Sequence, residues 1–385
     1  MNILTNPFPI FTTAFKLHFS SNLPRLKNTK THVRVSIEPP PPDFDFRTEI
    51  LGGSRAAIAQ THPELLDLAD DGSLVVIKKS QFGPVPIWRT EFVEPDAIWL
   101  IGTAHISQES ANYVERVIRA VKPDNVVVEL CRSRAGIMYT STDSDGEINK
   151  KLGSSMFSLS GTGFFGAVGR SIDLGGQTAL ALRILLAAFS SKFSSEVNRP
   201  FGDEFRAARK AAEEIGAQMV LGDRPIEITL ERAWNSLTLK EKLSLLTSVI
   251  GGITSSSDLS VKKLKESSAR YDDSFRLYEQ LSFSYPSLLQ PLIHERDTYL
   301  AWSLKRSKAV NNSKQVVGVI GKGHMNGIIY SLISDQGNLR FRDLVGQRPS
   351  RDGTSWVVNS FRSLIRDTVI GILLWLLYEK INAML

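Results

Sequence analysis

The chain has 385 residues, enough for a large core, and its 42% hydrophobic and 22% charged residues are those of a folded globular protein. A single cysteine, Cys131, excludes an internal disulfide framework and a cysteine-rich structural zinc site. The net charge of +6 sits largely at the N-terminus: residues 1–37 carry Lys16, Arg25, Lys27, Lys30 and Arg34 and no acid, so removing that +5 leaves +1, and with no basic stripe interleaved with aromatics this argues against nucleic acid as a partner.

Residues 1–37 are also rich in Ser, Thr and Phe, the composition of an organelle transit peptide or of a disordered N-terminus. Pro39 to Pro42 form a stiff spacer, and 38–60 read as a Pro-rich linker. Thr61-His62-Pro63-Glu64 caps a short helix, with His62 structural, and SLVVIK (73–78) is a short strand. AIWLI (97–101), closed by Gly102, has the unbroken apolar run of a buried strand. Ser107 then caps a helix whose Tyr113, Val114, Val117, Ile118 and Val121 share one face, and Pro123 ends it. NVVVEL (125–130) is a second buried strand. The two should be parallel, and neighbours if nothing inserts between them.

Residues 135–200 are Gly/Ser-rich, then helical near Leu180 to Phe189. A helix over 203–216 stops at Gly216, followed by the strand QMVL (218–221) and a helix over 226–237. Residues 251–275 are polar with a Ser run and read as a loop entering a helix, 289–310 as a helix, and QVVGVI (315–320) as a further buried strand. Near the C-terminus, TVIGILLWLLY (368–378) with flanking Glu379 and Lys380 reads as a short membrane anchor over 366–385, or as an interfacial or core helix.

Chemistry gathers at the strand ends. AIWLI runs into Gly102-Thr103-Ala104-His105, NVVVEL holds Glu129, QMVL runs into Gly222-Asp223-Arg224, and QVVGVI runs into Gly321-Lys322-Gly323-His324. In open parallel sheets, ligands bind outside the carboxyl ends of the strands. Neutral imidazoles and carboxylates are donors for zinc, manganese, cobalt or iron in an open site. His105 and His324 are then candidate ligands, with Glu129 or Asp223 as third ligand or general base. Arg224, Arg206 and Arg296 are candidates to hold a developing oxyanion or a substrate carboxylate. The alternatives are capping or core histidines, and a structural salt bridge from Glu129 to Arg132 or Arg224.

Weaker signals remain. Gly161 to Gly166 matches GxGxxG but lacks the strand and acidic partner of a dinucleotide site. Cys131 reads as a small core residue, and His294, beside Glu295-Arg296-Asp297, as exposed or structural. Residues 91–97 (EFVEPDA) loosely resemble the acidic FFAT-type peptide that docks contact-site proteins.

The stretches IWLIGTAHIS (98–107), NVVVELCRSR (125–134), GDEFRAA (202–208), LGDRPIEITLERAW (221–234), ERDTYLA (295–301) and VVGVIGKGHMNGI (316–328) resemble the TraB/PrgY/GumN family, in particular eukaryotic TraB-domain proteins. The resemblance implies an α/β fold with a mixed, largely parallel central sheet flanked by helices, over a domain of 61–345, with a disordered N-terminus, a linker over 346–365 and a C-terminal apolar helix. The paired Gly-x-x-His motifs are similar to those of Tiki-type metalloproteases, which implies metal or catalytic roles for His105, Glu129 and His324. The wider clan includes erythromycin-esterase-like hydrolases and haem-binding ChaN-like proteins, and PrgY-type relatives are linked to limiting peptide pheromone activity. Some eukaryotic members associate with the mitochondrial outer membrane, which that resemblance favours here, while the transit-like N-terminus points instead to a plastid. Together these imply a peptide- or ester-directed hydrolase site, or a catalytically silent adaptor on an organelle membrane.

Overall fold

The computed structural model describes residues 37–86, 89, 93–104, 108–139, 202–254, 284–306, 310 and 312–345. Five strands, β1 (Leu74–Lys78), β2 (Ala97–Thr103), β3 (Asn125–Val128), β4 (Gln218–Leu221) and β5 (Gln315–Gly321), form one sheet in the order β1-β2-β5-β3-β4. β1 lies antiparallel to β2, and every other pairing is parallel. The sheet is thus mixed and largely parallel, as expected. β2 and β3 are parallel but not neighbours, because β5 inserts between them and Gly318 pairs with Leu100 on one side and Val127 on the other.

Side chains alternate between two cores, as the two-residue period of a strand requires. Val76, Trp99, Ile101, Val126, Val128, Val317 and Val319 pack on one face, under α4 (Gln108–Val121) and α5 (Asp203–Ile215). Within α4, Val114, Val117 and Ile118 are fully buried, and Tyr113 and Val121 half-buried. Ile98, Leu100, Val127, Val316 and Ile320 pack on the other face, with residues of α8 (Glu295–Lys305) and α9 (Met325–Ile333). A strand buried on both faces has no reason to alternate polar with apolar, hence the continuous runs in the sequence. Each fully buried Val, Leu or Ile contributes roughly 1.5–3 kcal/mol over its exposed state, so packing on the sheet, more than helix propensity, holds the helices.

Two expectations need correction. The stretch 38–60 is no linker: it carries α1 (Phe46–Glu49) and α2 (Leu51–Thr61), and Phe46 and Ile58 are buried in the two cores. The helix read over 289–310 is divided and shorter. A π-helical turn (Gln290–His294) leads into α8, which stops at its C-cap, Arg306. The remaining α-helices among the described residues are α3 (Leu66–Asp70), α6 (Ile226–Ser236), α7 (Leu239–Thr254) and α10 (Phe341–Val345). No helix among the described residues is long and apolar enough to cross a membrane. Residues 1–36, the GxGxxG at 161–166 and the segment 366–385 lie outside the described residues.

Gly318 shows how closely α8 meets the sheet. A Cβ there would stand 2.7 Å from Leu304 Cδ2 and 2.9 Å from Leu100 Cδ2. Gly318→Ala should therefore overpack this face and lower stability by about 1–3 kcal/mol. Urea unfolding measures the cost, and an unchanged midpoint would mean that α8 has room to retreat.

Candidate functional site

The carboxyl ends of β3, β4 and β5 bring three side chains, Glu129, Asp223 and His324, together against the first turn of α8. Glu129 sits just past β3, with its backbone N–H still donating to Val319 O at 3.1 Å. Its Oε2 accepts from Gly321 N–H at 2.8 Å and its Oε1 from Arg296 Nη2 at 2.7 Å. Asp223 follows β4. It accepts from Arg296 Nε on Oδ1 at 3.2 Å and from Arg296 Nη2 on Oδ2 at 2.8 Å, and also from Arg134 and, at 2.7 Å, from Arg224 N–H. His324 closes the tight turn after β5. Its Nε2 is 3.2 Å from Arg296 Nη1 and 3.4 Å from Glu129 Oε1, while its Nδ1 is 2.5 Å from Asp297 Oδ1. Glu129, Asp223, Asp297 and His324 are each 3% exposed.

These contacts fix the form of the imidazole. A guanidinium only donates, so His324 Nε2 accepts from Arg296, and Nδ1 carries the proton and donates to Asp297. The Nε2 lone pair then faces the site, the form that binds a metal or accepts a proton. Burial pushes the Asp297 carboxyl up from its ordinary pKa, and the His324 imidazole opposes that rise. Gly327 brings α9 against this pair, since a Cβ there would overlap Asp297 Oδ2.

Other expected site residues lie elsewhere. The Arg224 side chain is fully buried and turned to a second cluster, donating to Glu295 Oε2 at 2.5 Å, Thr229 Oγ1 at 3.0 Å, Pro291 O at 2.5 Å and Leu344 O at 3.2 Å. Arg232 holds Glu295 through a fork at 2.6 and 2.7 Å. Arg206 pairs with Asp203 at 2.5 Å and donates to Ile137 O. Neither expected partner holds Glu129: Arg132 is exposed, and the salt bridge goes to Arg296. Cys131 is buried with Ile226 and Leu230, and His294 is half-buried. In the 91–97 segment, Glu94 pairs with Lys305 at 3.2 Å and Ala97 begins β2. His105 lies outside the described residues. Arg134, one of the polar residues beyond NVVVEL, reaches Asp223 89 residues away, whereas no spacing in the sequence points to Asp297, whose partner His324 lies 27 residues on.

The donor set suits a divalent metal chemically. Glu129 Oε1 and His324 Nε2 are both acceptors, and a carboxylate behind a histidine is the usual way to orient such a ligand. Among the described residues, however, no group of three His, Cys, Asp or Glu side chains is arranged to hold a metal ion. The cation among these acceptors is Arg296.

A largely parallel sheet with a buried carboxylate–histidine–arginine group at its carboxyl ends defines an α/β protein with a strand-end site. Residues 86–334 match the TraB/PrgY/gumN family, and the chain belongs to it. It is similar to the TraB domain-containing protein of Bos taurus, 28% identical over 76% of this chain and 79% of that protein. It is also similar to the Homo sapiens TraB domain-containing protein, 28% identical over 65% and 67% of the two chains. An uncharacterised protein of Methanocaldococcus jannaschii is 25% identical over 74% of this chain and 65% of its own length.

The second cluster gives the site's surroundings an acid limit. Burial pushes the Glu295 pKa upward, but the guanidiniums of Arg232 and Arg224 outweigh it and hold the carboxyl below its ordinary 4.5. A depressed carboxylate adds stability above its unfolded pKa and loses it as pH falls through the folded value. Glu295→Gln, which mimics the protonated form, should cost about 3–5 kcal/mol near neutrality, because it strands a buried guanidinium. That difference from wild type should shrink as pH falls below 4.5. A difference that stays constant from neutrality to strongly acidic pH would contradict the pairing.

Proposed function

We propose that the chain is a hydrolase of peptide or ester bonds, with a strand-end site in which His105, Glu129 and His324 hold a divalent manganese, zinc, cobalt or iron. The observation that carries this reading is the Asp297–His324 pair, which presents the Nε2 lone pair 3.4 Å from Glu129 Oε1. When bound, such a metal supplies Lewis acidity toward a carbonyl oxygen and lowers the pKa of water. The chain's own groups do the rest. Glu129 or Asp223 accepts the proton lost by the attacking water and returns it to the leaving nitrogen or oxygen. Arg296 is the donor for the negative charge that develops on the carbonyl oxygen. Asp223 keeps that guanidinium in place through Nε and Nη2. Arg224 serves the neighbouring ion-pair cluster and stands outside this chemistry.

The test is metal content. Full-length protein prepared without chelator should retain, or take up on addition, stoichiometric manganese, zinc, cobalt or iron, as measured by elemental mass spectrometry. The His105→Ala/His324→Ala double variant should do neither while keeping its fold. Asp297→Asn should weaken binding about 10–100-fold, through loss of the group that orients His324. Equal metal content in the parent and the double variant would end the metallohydrolase reading.

One observation favours a second reading. Arg296 already pairs with Glu129 and Asp223 and meets His324, so the group is complete as an ion-pair network without a ligand. On that reading the chain is a catalytically silent adaptor at an organelle membrane, acting in organelle contact or quality control. The mitochondrial outer membrane is favoured, with a plastid as the alternative from the transit-like N-terminus. The apolar segment 366–385 supports membrane attachment. Residues 91–97 are the candidate dock for a contact-site partner, which would have to displace the Glu94–Lys305 pair and meet a segment that enters β2 at Ala97. Deleting 366–385 should move the protein from the membrane to the soluble fraction, whereas unchanged fractionation would remove the anchor from either reading.

A further inference from the structure

We infer that Arg296 is a resident cation that competes with the metal for the same acceptors, so that metal binding at this site requires its guanidinium to let go of Glu129 and His324. The inference rests on the metal reading above and adds a device that gates it. Its basis is geometric. The two described donors of the expected metal set are Glu129 Oε1 and His324 Nε2, and both are already engaged by one side chain: Nη2 at 2.7 Å from the first, Nη1 at 3.2 Å from the second. A guanidinium stays charged at any ordinary pH and offers five donors in a planar fork, so it fits a convergent set of acceptors as well as a metal does. His324 Nε2 has a single lone pair, which cannot serve both, and at Glu129 Oε1 the two cations compete for the same carboxylate oxygen.

Arg296 is also built to let go without leaving. Its Nε donates to Asp223 Oδ1 at 3.2 Å and its Nη2 to Asp223 Oδ2 at 2.8 Å, contacts that use neither expected ligand. Asp223 is a firm anchor, because Arg134 and the Arg224 N–H hold it in turn. When Nη1 leaves His324 and Nη2 leaves Glu129, the Asp223 carboxylate keeps the guanidinium beside the site. The N–H groups that leave these two acceptors then face the site, where they can donate to a substrate oxygen. Before the metal arrives, the same side chain keeps two buried acceptors paired, which is what lets the chain fold without it. This makes the metal affinity of the wild-type chain lower than its donor set alone would give.

The test is a titration of full-length protein with Co²⁺ alone, read by the visible absorption that reports its coordination. Circular dichroism confirms the fold of each variant. Arg296→Met keeps an apolar stem and removes the competing donors, so it should bind Co²⁺ about tenfold or more tightly than wild type, the factor expected for releasing charged hydrogen bonds. Adding His324→Ala should abolish that gain. Arg296→Lys keeps the charge but cannot span both acceptors, so it should also bind more tightly than wild type. It serves as the reading if the methionine variant fails to fold. The gain should persist at high ionic strength, where a mere long-range repulsion between Arg296 and the ion would be screened. Binding that depends on His324 but is no tighter in either Arg296 variant overturns the competition and leaves the metal reading standing. A gain that vanishes with salt, or that appears in Met but not in Lys, reduces Arg296 to a distant charge and also overturns it. No His324-dependent Co²⁺ binding in any form removes the metal reading, and the competition with it.

Discussion

One guanidinium holds the strand ends together. Arg296 reaches β3 through Glu129, β4 through Asp223 and the turn after β5 through His324, from a single position in the first turn of α8. None of these three partners is stable alone at 3% exposure. A buried carboxylate without a counter-charge costs several kcal/mol, and a buried imidazole nitrogen without a donor costs about the same as a lost hydrogen bond. The apolar packing of α8 on β5 sets where this side chain emerges, since Leu300 and Leu304 lie in the same core as Leu100, Val316 and Ile320. The site is therefore a consequence of the sheet's packing as much as of its own polar contacts.

The triplet Glu295-Arg296-Asp297 divides its charges between two clusters. Glu295 turns to Arg224 and Arg232, while Arg296 and Asp297 turn to the strand ends. Successive helix residues point about 100° apart, so a run of three charged residues must face different surroundings. The π-helical turn immediately before it sets the phase of the turn that follows. Arg224 and Asp223 show the same division: adjacent in sequence, they send their side chains to opposite clusters, with the Arg224 N–H donating to Asp223 Oδ1.

The buried strands were legible because the physics that builds them is local. AIWLI, NVVVEL, QMVL and QVVGVI are each continuous apolar or nearly apolar runs, and each became a strand at or near its expected bounds. Their order was not legible, because nothing in β2 or β3 records that β5, some 190 residues beyond β3, pairs between them. The helices at 46–61 were obscured by the prolines before them and by a weakly apolar composition. They are fixed by tertiary contacts, such as Phe46 N–H to Asn326 and Val76 N–H to Ser54. Glu129 was read correctly as a buried carboxylate that needs a partner, but the partner comes from 167 residues away, beyond any pattern in spacing.

Charge balance explains why such a group can stay poised. Glu129, Asp223 and Asp297 bring three carboxylates, and Arg296 and Arg134 bring two guanidiniums, leaving one negative charge over a neutral His324. Burial works against one of these charges by pushing the Asp297 pKa up, and the His324 imidazole opposes that rise. A net negative, acceptor-rich cluster in a low-dielectric setting attracts whatever cation can enter, and the resident guanidinium is the one already there. Replacing it by a hydrophobe would leave both Glu129 and Asp223 without their shared counter-charge. Replacing Glu129 would remove the carboxylate that Gly321 N–H donates to and one of the two acceptors of Arg296 Nη2. Glu129 and Asp223 are nevertheless also held by contacts that do not involve Arg296, from Gly321 N–H to the first and from Arg134 and the Arg224 N–H to the second, so the acceptors are aligned by the fold as well as by their shared cation.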